Sequence, residues 1–162
     1  MAKESRRELP TKIKLTMLMS PSMANFSGKN VHGGEILKIL DQVAYACASQ
    51  YSKTYVVTLS SDMVLFRNPI KIGSLVTFKA TLNYTGNTSM EIGIKVVSQD
   101  IKTKEKIHTN TCYFTMISVD ENMKPVPVPK YIPITLKEKK RYNKALKRRK
   151  FREKMIKKSK KV

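Results

Sequence analysis

Cysteine and histidine are both scarce, which closes off most disulfide and metal chemistry. Cys47 and Cys112 are the two cysteines of the chain and form no C-x-x-C pair. They read as buried, reduced thiols of a cytoplasmic protein rather than as a disulfide framework. The two histidines, His32 and His108, lie far apart, with no H-E-x-x-H or Cys/His cluster around either, so no metal site is expected. Long apolar runs are missing as well. No stretch of about eighteen apolar residues occurs, which excludes a transmembrane helix. The opening MAKESRRELPTK is charged where a secretory signal needs an apolar core. There is no G-x-S-x-G elbow, which argues against a Ser-His-Asp hydrolase, and the phosphate-loop and dinucleotide-binding glycine patterns are absent too.

Acidic residues are few: 12 Asp/Glu stand against 32 Lys/Arg, a formal net charge of +20. The excess is unevenly placed. Residues 137–162 hold fifteen Lys/Arg and two Glu, leaving about +7 for the other 136 residues. The charge is therefore mainly a property of the tail, and the body must be read separately. At 162 residues and 41% hydrophobic, the chain fits one globular domain with extensions. The expected division is a leader at 1–11, a domain at 12–136 and a basic tail at 137–162, helical by composition but frayed by self-repulsion.

Within the domain, Ile13, Leu15, Met17 and Met19 alternate as in a half-buried strand. The Ser-, Asn-, Gly- and Pro-rich residues 20–34 form a loop. A helix is predicted over about 34–50. Glu35, Lys38, Gln42, Tyr45 and Ser49 make one narrow polar stripe, and apolar or small residues cover the rest, the pattern of a buried helix. Four β-like segments follow at 54–66, 74–85, 89–101 and 106–119, rich in Val, Ile, Thr, Tyr and Phe and separated by turn-like breaks. Strand, helix, then a run of strands predicts an α+β fold with an antiparallel sheet of about five strands wrapped on one long central helix.

Two features of this plan bear on chemistry. Gly33 and Gly34 lead into the helix, whose first N–H groups lack internal partners and carry the positive end of the dipole. Such a turn can polarise a carbonyl or hold a phosphate, or it can simply pack on the sheet. Asp41 is the anomaly of the helix. It sits about 70° from the centre of the polar stripe, beside Leu37, Ala44 and Ala48. A carboxylate there calls for a partner or a function: a general base, or a water-satisfied acid facing a subunit interface. His32 reads either as a catalytic base or as a cap of the loop.

The segment N-V-H-G-G-E-I-L-K-I-L-D-Q-V-A at 30–44 resembles the helix-entry motif of the hotdog-fold acyl-CoA thioesterases. The resemblance continues through D-M-V-L-F-R-N-P-I-K-I-G, T-G-N-T-S-M-E-I and T-N-T-C-Y-F-T-M-I-S-V-D, and covers roughly residues 12–130. It implies hydrolysis of fatty acyl-CoA by a homo-oligomer, a dimer at least and a trimer of dimers in larger assemblies. It places active sites between subunits, with Asn30 of one protomer facing Asp41 of another and the Gly33 or Gly34 N–H as oxyanion donor. Thr88, Ser89, Arg67 and Lys71 are implied contacts for coenzyme A, although Thr88 and Ser89 also read as hairpin-turn residues and the two cations as solvated charges. Asp62 lies near the implied site without an assigned role. No cofactor is called for, since coenzyme A enters only as part of substrate and product. The tail leaves other readings open: a grip on nucleic acid, a contact with anionic membrane, or a solvated extension.

Overall fold

The computed structural model describes residues 9–159. Most of the leader expected at 1–11, and residues 160–162 of the tail, lie outside them. The elements are β1 (Lys12–Leu18), a 3-10 turn at Pro21–Met23, α1 (Gly33–Ser52), β2 (Tyr55–Ser61), β3 (Leu75–Thr85), β4 (Ser89–Gln99), β5 (Lys106–Val119) and α2 (Leu136–Ser159). All strand pairs are antiparallel, in the spatial order β1-β3-β4-β5-β2. The sheet curls around α1 as expected, with β1 and β2 at its edges. The second strand is shorter than its apolar run: the ladder stops at Ser61, and Met63, Leu65 and Phe66 lie exposed beyond it.

Side-chain alternation gives the sheet two different faces. Val76, Phe78, Ala80 and Leu82 of β3 are buried with Met90, Ile92, Ile94 and Val96 of β4 and Cys112, Phe114 and Met116 of β5. They join Ile36, Ile39, Leu40, Val43, Ala44, Cys47 and Ala48 of α1 in one core. Each large side chain removed from water there contributes roughly 1.5–3 kcal/mol. The helix stops at Lys53, whose φ of 57° turns the chain while its N–H bonds the Ser49 carbonyl at 2.8 Å. Burial pushes the Cys47 and Cys112 thiols up to about 12.

The opposite face carries Asn83, Glu91 and Tyr113, and α2 lies across it. Residues 120–134 bring the chain there. Val128 N–H bonds the Asn87 carbonyl at 2.9 Å, Tyr131 N–H bonds Thr85 Oγ1 at 2.8 Å, and the Tyr51 hydroxyl reaches the Pro129 carbonyl at 3.1 Å. A capping box then opens α2: Glu138 N–H donates to Thr135 Oγ1 at 3.2 Å while Glu138 Oε2 accepts from Thr135 N–H at 2.9 Å. Those backbone donors hold the Glu138 carboxyl below its ordinary range.

Between 136 and 159 the chain is a docked helix rather than a solvated extension. Arg148 donates twice to the buried Glu91 carboxylate, at 2.6 and 3.1 Å, and stacks 3.5 Å above the Tyr113 ring. Asn83 completes the cluster with a 3.1 Å bond to Glu91. Gly93 gives the room: a Cβ there would stand 2.6 Å from Asn83 Nδ2. Arg149 reaches the Tyr84 hydroxyl at 2.8 Å, Arg152 reaches Asp62 at 2.9 Å, and Ala145 is fully buried.

Two outcomes follow. Arg148→Ala strands a buried carboxylate and should cost about 3 kcal/mol; urea unfolding followed by circular dichroism measures it, and a loss below about 1 kcal/mol would show that Glu91 does not anchor α2. The native protein should leave a thiol-reactive dye unconsumed, with both cysteines titrating only after guanidinium is added.

Candidate active site

The loop before α1 is tied to two places at once. Asn25 N–H bonds the Asn30 carbonyl at 2.8 Å, His32 N–H bonds the Met23 carbonyl at 2.8 Å, and Val31 N–H bonds the Ile70 carbonyl at 2.8 Å. Asn30 pairs with Lys71 in an isolated antiparallel bridge. Inside the loop, Asn25 Oδ1 accepts from Ser27 N–H at 3.1 Å and Ser27 Oγ at 2.7 Å. That folds a tight Asx turn, and Gly28 follows at φ 69°. The backbone of Asn30 is thereby fixed next to a cation and just ahead of the helix.

His32 is the N-cap of α1, with Nδ1 accepting from Gly34 N–H at 2.9 Å. The ring therefore caps the helix, and of the two glycine donors it occupies Gly34. Gly33 N–H has no hydrogen-bond partner among the described residues. The Phe66 ring lies 3.9 Å from where a Gly33 Cβ would stand, so this donor sits beside an aromatic wall at the positive end of the dipole.

Asp41 lies two turns along, on the side of α1 turned away from the core. It is exposed in the single chain, in line with Leu37 and Tyr45, which keep 39% and 40% of their surface. Thr58 Oγ1 donates to Asp41 Oδ1 at 2.5 Å. Thr58 stands on the edge strand β2, where the pairing with β5 shifts register between Thr58 and Ser60 and leaves Leu59 58% exposed. Tyr55, also exposed, meets the Tyr45 ring edge-on at 6.2 Å. One carboxylate oxygen is thus held by a hydroxyl while the other faces outward, in a setting of exposed apolar side chains along an open sheet edge.

The other predicted residues fall into two groups. Lys71 sits against Asn30, and Arg67 is exposed in the segment that carries Phe66. Thr88 and Ser89 lie elsewhere, lining a hollow of about 240 Å³ with Tyr84, Arg149 and Arg152 between the sheet and α2. No hydrogen bond joins Asn30 to Asp41 among the described residues. Those residues also hold no group of three or more His, Cys, Asp or Glu suited to a metal ion, and no helix long and apolar enough to cross a membrane.

Thr58 went unread in the sequence because it looks like any threonine of a β-rich run. Its position opposite Asp41 depends on the crossover from α1 to the sheet edge.

The thioesterase superfamily model matches residues 28–105. Protein VdlD of Helicobacter pylori is 54% identical over 142 residues, which are 88% of this chain and 80% of that protein. A crystal structure described as an apo-hexameric acyl-CoA thioesterase is 33% identical, with 91% of this chain and 94% of that one aligned at a TM-score of 0.86. The chain belongs to the thioesterase superfamily. Its sheet and central helix are the hotdog fold, and the resemblance carried by residues 30–44 extends over the whole domain. The acyl-CoA hydrolase of Staphylococcus aureus, solved with butyryl coenzyme A, coenzyme A and coenzyme A disulfide, is 28% identical, with 94% of this chain and 92% of that one aligned at a TM-score of 0.85. That thioesterase has also been solved as variants with one aspartate, one asparagine or one threonine replaced by alanine.

For this thioesterase, His32→Ala should weaken the start of α1 by about 1 kcal/mol. Its urea midpoint should fall accordingly, and an unchanged midpoint would show that the cap carries no weight.

Proposed function

We propose that this thioester hydrolase cleaves fatty acyl-CoA to fatty acid and coenzyme A at sites built between two copies of the chain. The observation that carries the reading is the Asp41 carboxylate, fixed by Thr58 beside the exposed apolar side chains of α1 and lying along the open edge of β2. A second copy pairing edge to edge along β2 would cover Leu37, Tyr45, Tyr55 and Leu59 and close a cleft over Asp41. The partner's loop would then bring its Asn30, with Lys71 beside it for a phosphate of coenzyme A. Hexameric assembly in a similar thioesterase supports a trimer of such dimers.

In that cleft Gly33 N–H, backed by the helix dipole, polarises the thioester carbonyl. Thr58 fixes one oxygen of Asp41, and the other activates water or attacks the carbonyl carbon itself. Asn30 orients the water or binds the developing oxyanion. The carbon–sulfur bond breaks, the coenzyme A sulfur leaves with a proton, and the acyl group departs as a carboxylate. Binding of nucleic acid or membrane through the tail is a weaker account, because Arg148, Arg149 and Arg152 are engaged by the chain's own side chains.

Thiol release from palmitoyl-CoA tests this. Asp41→Asn should lower kcat about 10²–10⁴-fold, and Thr58→Val about tenfold, with the oligomer unchanged by size exclusion. Mixing Asp41→Asn with Asn30→Ala subunits, after exchange, should recover part of the lost rate, since one site of each mixed dimer is intact. Normal turnover by Asp41→Asn would end the assignment. Absence of recovery in exchanged subunits would end the shared-site geometry alone.

A further inference from the structure

The outer face of the sheet carries an unexplained concentration of cations. Strand register sets Lys14 of β1 directly opposite Lys79 of β3, and Lys79 directly opposite Lys95 of β4. Directly paired residues point to the same face, so three ammonium groups stand in a row across adjacent strands, an arrangement that is unfavourable by itself. Between this row and α2 lies a hollow of about 170 Å³, with Lys79, Thr81, Lys95 and Thr111 on the sheet side and Arg141 and Lys144 on the helix side. No ion pair forms with Lys79, Lys95, Arg141 or Lys144 among the described residues. The nearby acids are committed elsewhere: both Glu91 oxygens bond Arg148, and Glu138 caps α2.

We propose that this hollow binds a multiply charged phosphate group. Two lysines supply mobile point charges, Arg141 supplies a planar fork, and the Thr81 hydroxyl supplies a neutral donor, a set suited to several phosphate oxygens at once. The volume is below the roughly 300–1,000 Å³ of a pocket for a whole drug-sized ligand. It matches an inorganic polyphosphate, or the diphosphate part of a nucleotide or coenzyme whose remainder lies outside. The site is separate from Asp41: α1 packs on one face of the sheet and the hollow opens on the other. Because its two walls belong to β3–β5 and to α2, an occupant would tie the helix down and raise the stability of the whole chain. The inference does not depend on the thioesterase mechanism.

Calorimetry and thermal unfolding of the full chain in low salt, with sodium pyrophosphate as the probe, test it. Saturable binding at one site per chain and a raised Tm are expected. The pairs Lys79→Ala/Lys95→Ala and Arg141→Ala/Lys144→Ala should each weaken binding at least about tenfold. Lys102→Ala/Lys104→Ala, which removes equal charge from the β4–β5 turn, should leave it unchanged. ADP and coenzyme A form a second arm: tighter binding than pyrophosphate assigns the diphosphate to a larger ligand, and weaker binding assigns it to a free polyphosphate. The proposal is overturned by non-saturable binding, by equal losses in all three pairs, or by binding of long nucleic acid alone. A raised KM for palmitoyl-CoA at constant kcat in the hollow variants would also overturn it, because the cations would then belong to the substrate site.

Discussion

The period-two alternation of β3, β4 and β5 is the constraint on which the molecule turns. The faces of these strands are not interchangeable. Even-numbered residues such as Phe78, Ile92 and Phe114 meet α1, and odd-numbered ones such as Asn83, Glu91 and Tyr113 meet α2. A slip of one residue would send a carboxylate into the apolar core and a row of aliphatic side chains toward a helix made mostly of lysine and arginine. The register is therefore fixed twice over, by apolar burial on one face and by paired polar groups on the other. Alternation along the neighbouring edge strands acts the same way: Lys14 of β1 falls in line with Lys79 and Lys95, and Thr58 of β2 points toward α1.

The basic helix divides by residue type. Its arginines at 148, 149 and 152 turn toward the sheet, where a planar, forked cation can bond a carboxylate and stack on a tyrosine together. Most of its lysines remain exposed, as strongly hydrated ammonium groups prefer. Net charge alone hides this division, because a count of cations cannot tell a docking face from a solvated one. Arginines clustered within one helical turn of a lysine-rich run were the available signal, and Asp62, Tyr84 and Glu91 were their destinations.

What was legible in the sequence depended on how local its cause was. Each strand and the central helix were readable within a few residues, since periodicity along a segment follows from the face it buries. Residues 30–44 were specific enough to point to the family and to single out Asp41. Three things were hidden, two because long-range geometry decides them and one because it turns on the orientation of a single ring. Thr58 matters because a crossover sets it opposite Asp41, 17 residues away. Tail docking depends on the path of residues 120–134 along the end of the sheet. The division between Gly33 and Gly34 comes from a ring two residues upstream accepting one N–H and leaving the other.

Asp41 completes the picture by sharing the exposed side of its helix with large apolar side chains. A chain acting alone would gain nothing from setting Leu37 and Tyr45 beside a carboxylate in water, next to a strand edge with open backbone groups. In the proposed dimer the cost of that surface is recovered when a second copy covers it. Covering it would also change the surroundings of the acid, because a cleft that closes over a carboxylate held by one hydroxyl takes bulk water away from its other oxygen. On this reading, assembly and catalysis share one cause. The contact proposed to bury the exposed edge would also be the one that makes Asp41 reactive, so a chain held apart from its partner would keep its fold and lose its chemistry.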